Sequence, residues 1–147
     1  GSVGVRIMGE IGVYLIYPEK AVEGLCGSWR SMYSIQALWS AARHNVGAKF
    51  IVCNNGGYKL LQLNIAQYWE GKNIEKHGFP LPFVLSYPAI RFDEIAKSMG
   101  VDALRVERPE EIGPAIDRML ADDKPFLIDL VIKGDINPDL VNKICGQ

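Results

Sequence analysis

The sequence predicts an α/β fold, a three-layer α/β/α sandwich around a mostly parallel sheet of at least four strands. Three observations carry that prediction. Residues 50–53 are a short continuous apolar run, the composition of a strand covered by helices on both faces, and residues 126–132 read as a last buried strand. Between such runs lie stretches whose apolar residues recur at helical spacing. The two kinds of segment alternate along the chain, the pattern of right-handed crossover units in one parallel sheet.

A chain of 147 residues, 48% of them hydrophobic, is long enough for a sizeable core and reads as a single domain over 1–147. Its formal net charge of -1 leaves no basic footprint for nucleic acid. Cys26, Cys53 and Cys145 are an odd, unclustered set that matches neither a zinc spacing nor a disulfide framework, and they point to a reducing, cytoplasmic setting. No signal peptide is visible, and no apolar run approaches the roughly 20 residues of a membrane span. There is no internal repeat and no low-complexity segment.

Residues 1–19 open with the glycine-rich turn GSVG and continue as VRIMGEIGVYLIY, expected as a helix. Val13, Tyr14, Leu15, Ile16 and Tyr17 make it apolar around most of its circumference, so it is buried or meets a partner. In a chain of this length Tyr14, Ile16 and Tyr17 point to self-association as a homo-oligomer. Residues 20–26 follow as the first strand. Glu23 within it has two readings: a residue near an exposed sheet edge, or a placed base whose burial raises its pKa. Cys26, three residues further on, falls on the opposite face, so the two form no direct dyad.

Ser31 is placed to cap the next helix, whose apolar stripe is Met32, Ile35, Leu38, Trp39 and Ala42. His44 at its end supports the helix dipole. The strand over 50–53 leads into the turn Asn54-Asn55-Gly56-Gly57-Tyr58, and residues 59–71 read as a helix of about three turns. Because the two strands are parallel, the turns after Cys26 and Cys53 open at the carboxyl edge of the sheet, where ligands sit in open α/β folds. Residues 72–88 form a long loop, and His77 in it is either a site residue or simply solvated. Phe92, Ile95, Ala96 and Met99 make one helical face that ends at Gly100. A strand over 101–106 follows. Pro109, Glu110 and Glu111 open the last helix, whose buried side is Ile112, Ile116, Met119 and Leu120, with Pro114 as an interior conflict. Residues 126–132 are the last strand and residues 133–147 a tail packed on the surface.

The segment MYSIQALWSAARHNVGAKFIVCNNGGY, together with the spacing from Gly27 to Asn54 and Asn55, resembles the diphosphate-binding C-terminal domain of thiamine diphosphate-dependent enzymes, in the benzoylformate decarboxylase and acetolactate synthase group. The resemblance covers nearly the whole chain. It implies the thiamine diphosphate-binding fold, thiamine diphosphate with Mg2+ as cofactors, and decarboxylation of 2-keto acids or carboligation as the activity of a whole enzyme. Carried over by position, it implies Asn55 as a side-chain ligand of magnesium, Gly57 as a ligand through its carbonyl, and Tyr58 as a contact to the diphosphate. An amide oxygen beside a diphosphate suits a cation that prefers six hard oxygens. Leu61 and Asn64 match helix positions that face the substrate. No catalytic residue falls in this chain, because the glutamate that activates the cofactor belongs to a separate pyrimidine-binding domain, a missing partner here.

Where the family has Gly-Asp-Gly-Ser, this chain has Gly27, Ser28, Trp29 and Arg30. Ser28, Trp29 and Arg30 therefore stand at cofactor-binding positions with altered chemistry. Ser28 puts a neutral hydroxyl in place of the metal-binding carboxylate. Trp29 replaces a glycine whose missing side chain lets the backbone approach the phosphates. Arg30 offers a guanidinium that pairs with phosphate. The expectation is impaired cofactor binding and no turnover by this chain alone. Departures from the family concentrate over residues 5–30, and the chain starts at the glycine-rich turn, which reads as an engineered or degenerate form of a truncated natural domain. Two alternatives stand beside this: a non-catalytic scaffold that self-associates through the helix near Arg6 and Tyr17, or a new site in the emptied cleft with Trp29 stacking on a flat substrate.

Overall fold

The computed structural model describes residues 5–75 and 77–133. They fall into two compact units: residues up to 54 with residues 91–132, and residues 55–90 with residue 133. Helices α1 (Val5–Ile16), α2 (Ser28–Ser31), α3 (Ala37–Arg43), α5 (Phe92–Ser98) and α6 (Ile112–Leu120) belong to the first unit, and α4 (Lys59–Gly71) to the second.

The first unit holds the sheet. Strands β1 (Glu23–Gly27), β2 (Lys49–Asn54), β3 (Asp102–Val106) and β4 (Phe126–Val131) lie in the order β1-β2-β4-β3 and all pairs are parallel. The α/β class and the parallel sheet are thus as the sequence predicts. Central strand β4 is buried at four successive residues from Phe126 to Asp129, so both of its faces are covered. On one side Val106, Ala115, Met119, Phe126 and Ile128 form a core cluster, with Ile51 and Leu130 packed against it. Edge strand β1 instead alternates exposed and buried residues. Of the two readings of Glu23, the placed and buried base is therefore wrong: Glu23 is an exposed edge residue.

Helix α1 corrects a second expectation. Ile7 and Tyr14, seven residues apart and so on one face, are its buried residues. The Tyr14 hydroxyl donates to Asp123 Oδ2 at 2.8 Å. Tyr14 is a core residue with a paired hydroxyl and not part of a surface for association. Val5, Met8, Val13, Leu15, Ile16 and Tyr17 are exposed.

The segment after β1 does not start one long helix at Ser31. Its hydroxyl turns back to donate to the Gly27 carbonyl at 3.0 Å, and backbone bonds from Met32, Ser34, Ala37, Leu38 and Trp39 run to the third residue before each. Three residues per turn carry the apolar phase away from the α-helical one. Ile35, Leu38 and Ala41 are buried, whereas Met32 and Trp39 are exposed, with Arg43 over the Trp39 ring at 5.1 Å. His44 stands at the C-cap of α3, as expected.

A short 3-10 turn, Pro109–Glu111, precedes α6 and shifts its phase in the same way. Ala115 and Met119 form the buried side, while Ile112, Ile116 and Leu120 are exposed. Pro114 is no conflict, because it falls in the first turn, where a helix needs no N–H from that residue. Gly100 ends α5 with a left-handed φ of 83°, the cap conformation expected there.

In the second unit, α4 spans the residues predicted for it. The loop after it carries a 3-10 turn, Leu81–Phe83, and pairs Gly57 with Val84 in an isolated bridge. His77 is exposed, its ring 4.4 Å from that of Trp69 and its Nδ1 2.9 Å from the Glu75 carbonyl oxygen. The tail over 134–147, with Cys145, lies outside the described residues.

Candidate cofactor site

Gly27 and Cys53 are in register on parallel strands, so β1 and β2 deliver Ser28 and Asn54 to the same carboxyl edge. There Ser28 to Ser31 coil at once into α2. Ser28 is buried at 8% exposure, Trp29 is half-buried and Arg30 is exposed. Below the turn, Cys26 Sγ lies 2.9 Å from Ser31 Oγ. Burial pushes the Cys26 thiol up, more than the Ser31 hydrogen bond brings it down. A thiol that keeps its proton is a poor nucleophile.

Asn54, the last residue of β2, is pinned by a network that the sequence reading missed. Asp129 of β4 is fully buried. Its Oδ1 accepts from the Asn54 amide at 3.1 Å and its Oδ2 from Arg105 Nη1 at 2.7 Å. Arg105 Nε in turn donates to Glu107 at 2.6 Å. Burial disfavours the Arg105 charge, but Glu107 and Asp129 outweigh it and raise the guanidinium's pKa. Both carboxylate oxygens of Asp129 are thereby satisfied, the condition for burying a charge. The Asn54 carbonyl also accepts from the Ile132 N–H at 3.0 Å, which ties the end of β2 to the end of β4. The signal was present in FLIDLV, where an aspartate stands inside an apolar strand and demands a partner.

Asn55, Gly57, Tyr58, Leu61 and Asn64 belong to the second unit. Asn55 Oδ1 accepts from the Gly57 N–H at 3.3 Å, closing the turn on itself. Gly56 has φ 64°, the left-handed region open to glycine. At Gly57 a side chain would meet the Phe83 carbonyl oxygen at 2.9 Å, so glycine permits the close approach of the two backbones. The Tyr58 N–H donates to that same oxygen at 3.1 Å, and Leu85 N–H to the Gly56 carbonyl at 2.9 Å. Leu61 and Asn64, three residues apart on α4, are both exposed.

Tested as a magnesium and diphosphate site, these groups do not fit the expected pattern. Among the described residues, no three His, Cys, Asp or Glu side chains cluster as metal ligands. Ser28 brings a neutral, buried hydroxyl, and Asn55 an amide oxygen already engaged with Gly57. Neither residue supplies the hard, anionic protein oxygen that a divalent cation takes beside a diphosphate.

A family described as thiamine pyrophosphate enzyme, C-terminal TPP binding domain, matches residues 1–130. Benzoylformate decarboxylase of Pseudomonas aeruginosa is 35% identical over 130 residues, which cover 88% of this chain and 23% of that protein. The acetolactate synthase large subunit of Corynebacterium glutamicum is 24% identical over 140 residues, 92% of this chain and 21% of that one. Among solved structures, the thiamine diphosphate-dependent 4-hydroxybenzoylformate decarboxylase of Rhodococcus jostii RHA1 has a TM-score of 0.77 at 29% identity, covering 90% of this chain and 24% of its own. The chain spans about a quarter of the length of these relatives.

Proposed function

Since the chain belongs to the C-terminal thiamine pyrophosphate (thiamine diphosphate) binding domain family of thiamine pyrophosphate enzymes, we propose that it is the diphosphate-binding part of a 2-keto acid decarboxylase or carboligase, with a weakened hold on thiamine diphosphate and magnesium and no turnover by itself. Ser28 is the observation that carries the proposal: a buried, neutral residue at the position of the metal-binding carboxylate. The relatives extend over about four times the length of this chain, which supports a second domain as the source of the pyrimidine-activating group. The concentration of departures over residues 5–30 supports an engineered or degenerate origin.

Melting temperature with and without millimolar thiamine diphosphate and MgCl2 tests this. A ligand at 100 times its dissociation constant stabilises by about 2.7 kcal/mol, several degrees for a domain of this size. The unmodified chain shows no shift, and Ser28→Asp combined with Trp29→Gly gains one. A clear shift in the unmodified chain overturns the proposal.

A second reading is supported by the outer face of α1, where Met8, Leu15 and Ile16 are 55%, 64% and 69% exposed. An apolar stripe of this kind on a surface helix suits a symmetric dimer. Sedimentation at several concentrations decides it: a mass that rises with concentration in the unmodified chain and not in Leu15→Glu supports the dimer, and a monomer throughout removes it. A new thiol site in the cleft is not proposed, because Glu23 is exposed on one face of β1 while Cys26 is buried on the other and keeps its proton.

A further inference from the structure

Among the described residues two buried side-chain oxygens have no hydrogen-bond partner, Ser34 Oγ and Glu10 Oε2. The second is the more consequential, because it belongs to an ionisable group. Glu10 projects from α1 over Gly24 of β1. A methyl group in place of the glycine hydrogen would collide with the Glu10 carboxyl carbon, and would lie 2.5 Å from its Cγ and 2.7 Å from Oε1. Gly24 is therefore the floor on which this carboxyl rests.

The charged and titratable groups around it are few. Arg6 stands one turn earlier on α1, is exposed and attracts the ionised form. From β1, Cys26 lies on the same buried face as Gly24, and its thiol senses Glu10. Glu23 is exposed on the other face. Helix α3 also packs on α1, and its one charged residue, Arg43, is exposed over the Trp39 ring. Burial outweighs Arg6 and the backbone hydrogen bond, so the Glu10 carboxyl is pushed up from its ordinary value. An ionised carboxylate with a buried, unpartnered oxygen is costly, and its neutral form far less so.

We propose that Glu10 is a proton-controlled latch for α1: neutral, it seats the helix over Gly24, and ionised, it drives the helix off β1. Opening uncovers Ile7, Tyr14 and Cys26 and frees an apolar helix beside an edge strand. The direction follows from linkage. A group whose folded pKa is raised gives its full stabilisation below the unfolded value, 4.5 here, and that stabilisation is lost as pH rises through the folded value. Each unit of elevation weakens the docking equilibrium about tenfold between the two limits.

Hydrogen exchange read by mass spectrometry on peptides covering residues 5–16, from pH 5 to pH 8 and corrected for the intrinsic pH dependence of exchange, tests the latch on the whole chain. In the unmodified chain, protection of α1 falls across the range while β4 peptides keep theirs. In Glu10→Gln and in Glu10→Ala, which leaves the space over Gly24 open, α1 protection is independent of pH. Flat protection in the unmodified chain, the same slope in the variants, or a parallel loss in α1 and β4 overturns the proposal.

Discussion

Removal of the Asp129 carboxylate by Asp129→Ala is the most direct probe of what holds the end of β2. The residue is fully buried, and its two oxygens accept from Arg105 at 2.7 Å and from Asn54 at 3.1 Å. Truncation removes one partner of the Asn54 amide and one of Arg105. Breaking a buried ion pair from one side costs about 3–5 kcal/mol, because the remaining charge stays desolvated. Arg105 keeps Glu107 at 2.6 Å, and its side chain is 19% exposed, so it is not left wholly uncompensated. That places the expected loss at the lower end, about 3 kcal/mol. Urea unfolding followed by far-ultraviolet circular dichroism reads it: with a slope of about 1–3 kcal/mol/M, the midpoint drops by about 1–3 M. Asp129→Leu together with Arg105→Met recovers more than half of the loss, since an apolar pair of similar volume replaces a buried ion pair at little cost. A loss below about 1 kcal/mol in Asp129→Ala, or a double variant no better than Asp129→Leu alone, refutes the reasoning.

Two further outcomes follow from groups in the same unit. Lys49, 5% exposed, donates from Nζ to the carbonyl oxygens of Asp122 at 2.7 Å and Lys124 at 2.6 Å. Burial lowers its pKa, so the ammonium is desolvated as well as bonded. Lys49→Met keeps the stem and strands two carbonyls. Bonds to a charged group are worth about 1.5–3 kcal/mol each, and regained desolvation offsets part of that, so a net loss of about 2 kcal/mol is expected in urea unfolding. Asp93 is buried, which by itself raises its pKa, but Arg91 at 3.0 Å through two bonds and Lys97 at 3.6 Å pull it below the ordinary carboxylate value. A lowered folded pKa gives stability that is present above the unfolded value and lost as pH falls through the folded one. Asp93→Asn therefore flattens the acid limb of the stability curve below about pH 4, and an unchanged limb rules the linkage out.

The sheet was legible because burial on two faces leaves a plain mark: FIVC and FLIDLV are apolar runs too short for helices, and both lie in central strands. Helix α4 was legible to the residue. What failed was helix phase. Met32, Trp39, Ile112, Ile116 and Leu120 were assigned to buried faces by an unbroken 3.6-residue period, and local i→i+3 bonding before α3 and α6 breaks that period. Of the candidate site, the positions of Ser28, Asn55, Gly57 and Tyr58 at turns beyond strand ends followed from parallel topology. The Asp129–Arg105–Asn54 network did not, because its members are separated by up to 75 residues and only register brings them together. Tyr14 was misplaced for the same reason: its hydroxyl partner, Asp123, is 109 residues away.

Side chains of residues 5–30 fit their surroundings in pairs, in a core packed as tightly as a crystal. Glu10 lies where glycine at 24 leaves room for it. Cys26 lies 2.9 Å from Ser31, and Tyr14 hydrogen-bonds Asp123 beside Gly47, where a side chain would meet the tyrosine hydroxyl at 2.9 Å. Such mutual adjustment is what a well-specified sequence displays at every level. A carboxyl group left with one unpartnered oxygen stands out against that background. The raised pKa of Glu10 couples the docking of α1 to pH, so its removal should make α1 less responsive to pH.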